Sequence, residues 1–165
     1  MRDSFLETSG VVIGFYGREF YCFSNFSSFA IEWRGRLWQT SEHVYQASKF
    51  LERNPEITEE IFNTRSAHDS KKLAEKHKDK IPAGWDSRKI AVMEDVCRHK
   101  LQQHAYIQKK LLETGTKEIV EDSPKDDFWG WGPNRNGKNE LGKIWMKLRE
   151  ELTDPHTSNS PVAGA

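Results

Sequence analysis

WQTSEHVYQASKF, residues 38–50, is the stretch at which the chain changes from short strands to helices. Thr40 is a typical helix N-cap residue, and the helical pattern that follows it continues to Leu51. The segments before it have the patterns of strands. VVIGFY at 11–16 predicts a short strand, and FAIEW and RLW, which flank Arg34-Gly35, predict a small hairpin. A minor β element should therefore precede a helical region.

Helical patterns account for most of the chain after residue 50. Capping residues and periodicity predict helical segments at 54–62, 67–78, 86–103, 104–113 and 139–152. Asn54-Pro55 supplies an N-cap and a proline at the first helical position, and Asp86 is the predicted N-cap of the longest helix. A short extended segment is predicted at 117–121. Two apolar helix faces are expected to be buried: Ile90, Met93, Cys97 and Leu101, and Leu141, Ile144, Trp145, Leu148 and Leu152.

These elements predict a mainly α fold, a single-domain helical bundle with a small N-terminal β-hairpin element. The 165 residues suffice for one hydrophobic core and leave little for a second. The predicted organisation is an N-terminal extension at 1–10, one domain at 11–152 and a tail at 153–165. The tail is rich in Pro, Ser, Ala and Gly, which predicts disorder.

The charge balance and the two cysteines indicate the setting of the protein. Lys+Arg and Asp+Glu both number 25, so no net charge attracts the chain to nucleic acid or to an anionic membrane. Cys22 and Cys97 are few for a secreted chain of this size, which favours a reducing compartment. The first residues have no apolar core of a signal peptide, and no apolar run approaches 18 residues. We expect a cytoplasmic protein without a membrane span.

One face of the helix after Thr40 carries a polar stripe. Glu42, Gln46 and Lys49 are spaced i, i+4 and i+7, which places them on one side of the helix. For an arbitrary helix, such a stripe is more often a solvated face than a site. The segment is nevertheless rich in aromatic residues, which favours a pocket wall. Glu42 lies in the first turn, where free backbone N–H groups and the helix dipole are expected to favour an ionised carboxylate.

Two further segments have the composition of a site. In PAGWDSRK, 82–89, Trp85 precedes the predicted cap, and packing back onto its own helix is an equally good interpretation. DDFWGWGPNRNGKNELG, 126–142, combines two acids, two tryptophans and a basic pair in a Gly- and Asn-rich loop. Its backbone could approach a sugar or phosphate closely, or it could be a long connector held by buried tryptophans. The histidines and cysteines lack metal-ligand spacing, so neither a metal nor another cofactor is expected.

Taken together, these segments resemble the NADAR/YbiA-like family. The resemblance rests on FSNF at 23–26, W-x-TSEH-x-x-QA-x-KF at 38–50, W-G-x-G at 129–132, and GKN-x-LG with its downstream Met and Arg at 137–149. It covers about residues 12–152. It implies a mainly helical fold with minor β structure and an N-glycosidase, a hydrolase of N-glycosyl compounds. Bacterial members are linked to phosphoribosylamino-pyrimidines of early riboflavin synthesis, and other members to removal of ADP-ribose from guanine in DNA.

The resemblance also implies functional residues. The family's catalytic glutamate, tryptophan and aspartate match Glu42, Trp85 and Asp126, with Asp127 as an alternative to Asp126. Residue type and clustering add expected substrate contacts, namely Ser24, Asn25, Trp38, Gln46, Lys49, Trp129, Gly130, Lys138 and Asn139. Glu42 would stabilise positive charge on the sugar or activate water, and Asp126 would orient water or transfer a proton.

Three functions remain open at the level of sequence. The first is hydrolysis of a phosphoribosylamino-pyrimidine or a related N-ribosyl compound. The second is removal of ADP-ribose from nucleic acid, which needs a basic groove that lysines between 71 and 80 could supply. Because acids interrupt that run, a solvated helix face is the commoner explanation. The third is a non-catalytic module that binds ADP-ribose or a nucleotide. The oligomeric state is not predicted.

Overall fold

The computed structural model describes residues 12–15 and 18–154. Contacts divide the chain into two compact units, one of Phe15–Gln108 and the other of the described residues in 1–14 and 109–165. The predicted N-terminal extension lies outside the described residues, as does the predicted tail beyond residue 154. The predicted domain boundaries stay a prediction. The mainly α class with minor β structure is confirmed.

The described residues form six α-helices and four short strands. The helices are α1 (Ser41–Ser48), α2 (Pro55–Phe62), α3 (Ala67–Lys76), α4 (Trp85–Gln103), α5 (Ala105–Glu113) and α6 (Glu140–Thr153). The strands are β1 (Val12–Gly14), β2 (Ile31–Trp33), β3 (Arg36–Trp38) and β4 (Glu118–Val120). Two 3-10 helices, Arg18–Phe23 and Lys78–Lys80, lie between them.

The unit Phe15–Gln108 is built on the predicted hairpin. β2 and β3 pair antiparallel across a two-residue turn in which Arg34 (φ 49°) and Gly35 (φ 76°) are both left-handed. Two left-handed residues match the right-handed twist of the strands, so this turn closes a hairpin well. One face of the hairpin is buried against helices α1 to α4, and its core includes Ile31, Trp33, Trp38, Val44, Phe50, Ile57, Ile61 and Val96.

The other unit pairs strands from opposite ends of the sequence. β1 pairs in parallel with β4, with Val12 opposite Glu118 and Gly14 opposite Val120. The sequence predicts both strands but not their pairing. Helix α6 packs against β4 through the predicted apolar face, and Leu141, Ile144, Trp145 and Leu148 are buried.

Three local predictions are wrong. Helix α1 ends at Ser48 rather than Leu51. Helix α4 begins at Trp85, one residue before the predicted cap Asp86, whose carboxylate instead pairs with Lys89 at 3.1 Å. Ile90 is 40% exposed rather than buried. The buried stripe of α4 runs from Trp85 to Met93 through position 89, and Ile90 lies to one side of that stripe. Within the described residues, no helix is long and apolar enough to span a membrane.

Candidate functional site

Hydrogen bonds to Thr40 and to Asn25 hold the start of α1. The N-cap Thr40 accepts a hydrogen bond from the His43 N–H at 3.2 Å, as predicted from its position. The N–H of Glu42 donates to the carbonyl of Asn25 at 3.1 Å. These amides are therefore not free, and the expectation of free first-turn N–H groups beside Glu42 is wrong for these two. The helix dipole still favours an anion at this end.

Glu42 and Gln46 form a buried polar pair. Their side chains are 5% and 4% exposed, so a solvated face is the wrong interpretation for this part of the stripe. The Gln46 Nε2 donates to the Glu42 Oε1 at 2.7 Å, and a carboxylate, which only accepts, requires this orientation of the amide. The Gln46 Oε1 is buried and accepts no hydrogen bond from the described residues. An unpaired buried acceptor costs about 1–3 kcal/mol, so a ligand that donates to it would be favoured.

Lys49 places a half-buried cation on the same helix face. Burial lowers the pKa of Lys49, and the Glu42 carboxylate raises it. The cations Lys71 and Lys89 lower that pKa further, whereas Glu75 raises it. Glu42 therefore contributes to the electrostatics at Lys49, as expected for two residues on one face of a helix.

Aromatic side chains flank the stripe. The rings of Tyr45 and Trp85 lie 5.6 Å apart at 51°, and Trp85 is 6% exposed. The Lys49 Nζ lies 5.2 Å from the centre of the Tyr45 ring, and the Arg88 guanidinium lies 5.9 Å from that of Trp85. Trp85 therefore contacts α1 rather than packing only on its own helix. These contacts suit a site that binds a planar, charged ligand.

A cavity of about 380 Å³ opens beside Lys49 and Trp85. Its volume falls in the range of small-molecule sites. Glu42 does not line it, and Lys49 connects it to the polar stripe. Among the lining residues are two tryptophans, three cations and two acids: Trp33, Trp85, Arg34, Lys49, Arg88, Glu52 and Asp95. Arg88 faces Glu52 at 3.9 Å, while the Arg34 guanidinium lies 4.7 Å from the Trp33 ring centre. Sequence analysis missed Arg34, because it was assigned only to the hairpin turn.

Ser24 and Asn25 are both predicted to contact substrate, and their side chains form hydrogen bonds within the unit Phe15–Gln108. The Ser24 Oγ accepts from the Phe26 N–H at 3.2 Å. The Asn25 Oδ1 accepts from the Ser41 Oγ at 3.0 Å, and its Nδ2 donates to the Met93 sulfur at 3.1 Å. The structure thus gives these residues a role in holding the start of α1, and their contact with substrate stays a prediction.

Trp38 is the remaining predicted contact in this unit. It is 2% exposed and packs edge-on against Phe62, with ring centres 5.0 Å apart. Its indole N–H donates to the carbonyl of Trp33 at 3.2 Å. Trp38 is part of the core under the hairpin, and a role in binding substrate stays a prediction.

In the other unit, Asp126 organises the loop before α6. Its Oδ1 accepts from the N–H groups of Phe128 and Trp129, at 2.9 and 2.8 Å. Asp126 is partly buried, whereas Asp127 is exposed and its backbone carbonyl accepts from the Lys138 N–H at 2.8 Å. The geometry makes Asp126 the turn-forming member of the pair, and the choice between the two as a catalytic group stays a prediction.

The rest of this loop is fixed through its backbone. A Cβ on Gly130 would lie 2.5 Å from the carbonyl oxygen of Glu121, so only glycine fits there without a shift. Asn139 has a left-handed backbone (φ 52°). Its side-chain Nδ2 donates to the Ile119 carbonyl at 2.9 Å, and its Oδ1 accepts from the Glu121 N–H at 3.0 Å. Lys138 is exposed, with its Nζ 5.5 Å from the Phe128 ring centre. Trp129 is partly buried.

No group of three or more His, Cys, Asp or Glu side chains in the described residues is arranged to hold a metal ion. The polar stripe and its surroundings bring together a buried carboxylate, an amide, a cation and aromatic rings. Such a set can stabilise positive charge on a sugar and bind a planar leaving group.

Residues 14–153 match the NADAR domain family, and the chain belongs to this family. It is 36% identical over 143 residues to the N-glycosidase YbiA of Escherichia coli (strain K12), a match that covers 86% of this chain and 88% of that protein. It is 38% identical over 132 residues to the N-glycosidase Npun_R5314 of Nostoc punctiforme, covering 79% and 85%. The NMR structure of the E. coli protein YbiA superposes with a TM-score of 0.79 at 35% identity, covering 88% of this chain and 86% of that one.

These relatives confirm the predicted class, a hydrolase of N-glycosyl compounds. A riboflavin biosynthesis protein of Vibrio vulnificus, VVA0006, is 35% identical over 131 residues, which is 79% of this chain but 35% of that longer protein. The mainly helical fold predicted from the resemblance agrees with the YbiA structure.

Proposed function

We propose that this protein hydrolyses the N-glycosidic bond of a phosphoribosylamino-pyrimidine or a closely related N-ribosyl compound. The observation that carries the proposal is the buried Glu42–Gln46 pair, which leads through Lys49 to a cavity with aromatic and cationic walls. Such a cavity offers separate partners for the base and the phosphate. The name of the Vibrio vulnificus relative, a riboflavin biosynthesis protein, supports this substrate class.

In this mechanism Glu42 acts as an ionised carboxylate. N-glycoside hydrolysis passes through an oxocarbenium-like state, in which positive charge develops on the sugar. A buried carboxylate interacts with that charge more strongly than a solvated one, because little water screens it. The amide of Gln46 donates to the Glu42 Oε1 at 2.7 Å and so fixes the orientation of the carboxylate.

The cavity residues bind the two ends of the substrate. Trp85, beside Tyr45, stacks on the pyrimidine. Lys49 and Arg34 bind the phosphate, for which Arg34 offers a planar fork of donors. Asp126 and Trp129 enter the proposal from the family resemblance alone, and Asp126→Asn tests the second carboxylate directly.

The deciding experiment is chromatographic detection of free base after incubation with each candidate substrate. We expect base release from the phosphoribosylamino-pyrimidine and a loss of at least a hundredfold in Glu42→Gln, with the fold retained. Glu140→Gln is the matched control, because Glu140 lies in the first turn of α6 and pairs only with Lys143 among the described residues. A fully active Glu42→Gln enzyme would show that the mechanism is wrong.

Removal of ADP-ribose from guanine in nucleic acid is the second candidate. Lys71, Lys72 and Lys76 on α3 and the nearby Lys78 and Lys80 are all exposed, and Lys71 acts electrostatically on Lys49. A basic surface next to the site would suit a phosphate backbone. Release of ADP-ribose from modified DNA, together with steeply salt-dependent DNA binding, would favour this function over the first.

A module that only binds ADP-ribose or a nucleotide would release no base from any substrate while still binding the ligand. The same chromatographic assay, paired with calorimetric binding, separates it from both enzymes. The cytoplasmic location is also part of the proposal, supported by two buried cysteines that form no disulfide.

A further inference from the structure

Lys100 on α4 is a completely buried lysine within the unit Phe15–Gln108. Its Nζ donates to the carbonyl of Ser24 at 2.9 Å and to the Ser27 Oγ at 2.9 Å, with the Ser41 Oγ further away at 3.4 Å. The Phe29 ring centre lies 5.5 Å from the same nitrogen. No carboxylate pairs with Lys100 in the described part of the chain. In that part of the chain, its ammonium contacts a carbonyl, two hydroxyls and an aromatic face.

A buried charge without a carboxylate partner works against stability. Burial lowers the pKa of Lys100 to about 8, while the thiols of Cys97 and Cys22, the titratable groups that act on it, raise that pKa. At neutral pH Lys100 is therefore mainly a buried ammonium whose desolvation is only partly offset. An apolar side chain of similar length would avoid that cost.

We propose that Lys100 is a positioning residue, which clamps the Ser24–Ser27 loop to the first residue of α1 and thereby fixes Glu42. The inference rests on the proposed function, because it assigns Glu42 the catalytic role. Lys100 has no exposed surface, so it acts through the loop rather than on the substrate.

The route from Lys100 to Glu42 is short and continuous. Lys100 binds Ser24 and reaches Ser41, and the Ser41 Oγ donates to the Asn25 Oδ1 at 3.0 Å. The carbonyl of Asn25 accepts from the N–H of Glu42 at 3.1 Å. A shift of the loop would therefore move the backbone of Glu42 directly.

If Lys100 had a purely structural role, its removal would lower stability and leave unpaired groups behind. Each acceptor of Lys100 keeps another bond when the lysine is removed. The Ser24 carbonyl still accepts from the Ser27 Oγ at 2.6 Å, and the Ser41 Oγ still donates to Asn25. Loss of the ammonium should thus leave few unpaired groups, and Lys100→Met should remain folded. What it removes is the bond between α4 and the loop.

The test compares Lys100→Met with Lys109→Met, an exposed lysine that undergoes the same chemical change. Three quantities are measured: the urea midpoint, the hydrogen-exchange rate of the Glu42 amide, and kcat and KM for base release. We expect an unchanged or higher midpoint, at least tenfold faster exchange at Glu42, and kcat at least tenfold lower with KM within threefold. The control should match the wild type in all three.

Unchanged exchange at Glu42, or an unchanged kcat, would overturn the proposal. A kcat loss that merely follows a large drop in the urea midpoint would overturn it as well. If the wild-type protein releases no base, the proposed function fails, and the exchange rate alone then decides whether Lys100 positions Glu42.

A second variant covers the case in which Lys100→Met does not fold. Ser41→Ala removes the link from Lys100 to Asn25. Ser70→Ala is its control, because Ser70 is also buried and its hydroxyl donates to the Ala67 carbonyl of its own helix. We expect faster exchange at Glu42 and a lower kcat for Ser41→Ala alone. Equal values for the two variants would overturn the proposal.

Discussion

Gln46→Met gives the sharpest test of the catalytic pair. The substitution keeps nearly the same length and volume but removes the amide that donates to Glu42 Oε1 at 2.7 Å. It also removes the buried Oε1, which accepts no bond from the described residues. The change therefore deletes one good hydrogen bond and one unpaired group, and the two effects on stability oppose each other. We expect the free energy of unfolding to change by less than about 1 kcal/mol.

The effect on catalysis should be much larger. A hydrogen bond to a charged group contributes about 1.5–3 kcal/mol, and each 1.36 kcal/mol in the barrier is a factor of ten, so kcat should fall by about 10- to 150-fold. The reason is that Glu42 loses the contact that fixes its orientation toward the sugar. KM should change less than kcat, because the aromatic and cationic cavity walls are untouched and only one predicted acceptor for the substrate, the Gln46 Oε1, is lost.

The assay is base release, measured with urea unfolding on the same preparations. Gln102→Met is the matched control, since Gln102 is exposed on α4 and should keep wild-type activity. If Gln46→Met keeps kcat within twofold of the wild type while remaining folded, the buried pair is not part of the catalytic site.

Three further predictions concern the cavity, the start of α1 and the second unit. Arg34→Asn, which suits the left-handed turn position, should raise KM about tenfold for a phosphorylated substrate and leave its unphosphorylated analogue unaffected, as steady-state kinetics with both would reveal. Burial lowers the pKa of His43, opposed by the Thr64 carbonyl, so the stability it contributes is present above about pH 6.5 and is lost as the pH falls below that value. Urea unfolding at several pH values should show this loss, and His43→Gln should flatten it. Trp145→Ala should destabilise the protein by about 3–5 kcal/mol, measured by urea unfolding, because the side chain is completely buried.

Local sequence signals predicted the elements well where capping and turn chemistry are strong. Thr40 caps α1, Arg34-Gly35 closes the hairpin, and Pro55 opens α2, all as predicted. A prediction that rested on a weaker capping signal, at the start of α4, was wrong. Asp86 does not cap α4, since the helix has already begun at Trp85, whose ring packs on Tyr45. The start of α4 is thus fixed by a contact with Tyr45 of α1, and the local sequence around Asp86 does not encode such a contact.

The candidate site was predictable only along α1. The i, i+4, i+7 spacing identified Glu42, Gln46 and Lys49, because a single helix fixes their relation. The cavity with Arg34 was missed, because it depends on how the hairpin turn meets α4. Lys100 was missed for the same reason: its partners Ser24 and Ser27 lie more than 70 positions earlier in the sequence.

Three buried polar or charged groups of the unit Phe15–Gln108 lie in α1 or next to its start. Glu42 is a buried carboxylate, Gln46 carries a buried oxygen that accepts no hydrogen bond from the described residues, and Lys100 is a buried ammonium. A core selected only for stability would replace each with an apolar side chain. Their proximity in one network, through Ser41 and Asn25, is what a site that orients charge would require. Stabilising apolar substitutions at these three positions should therefore lower activity, whereas equally stabilising changes elsewhere in the unit should not.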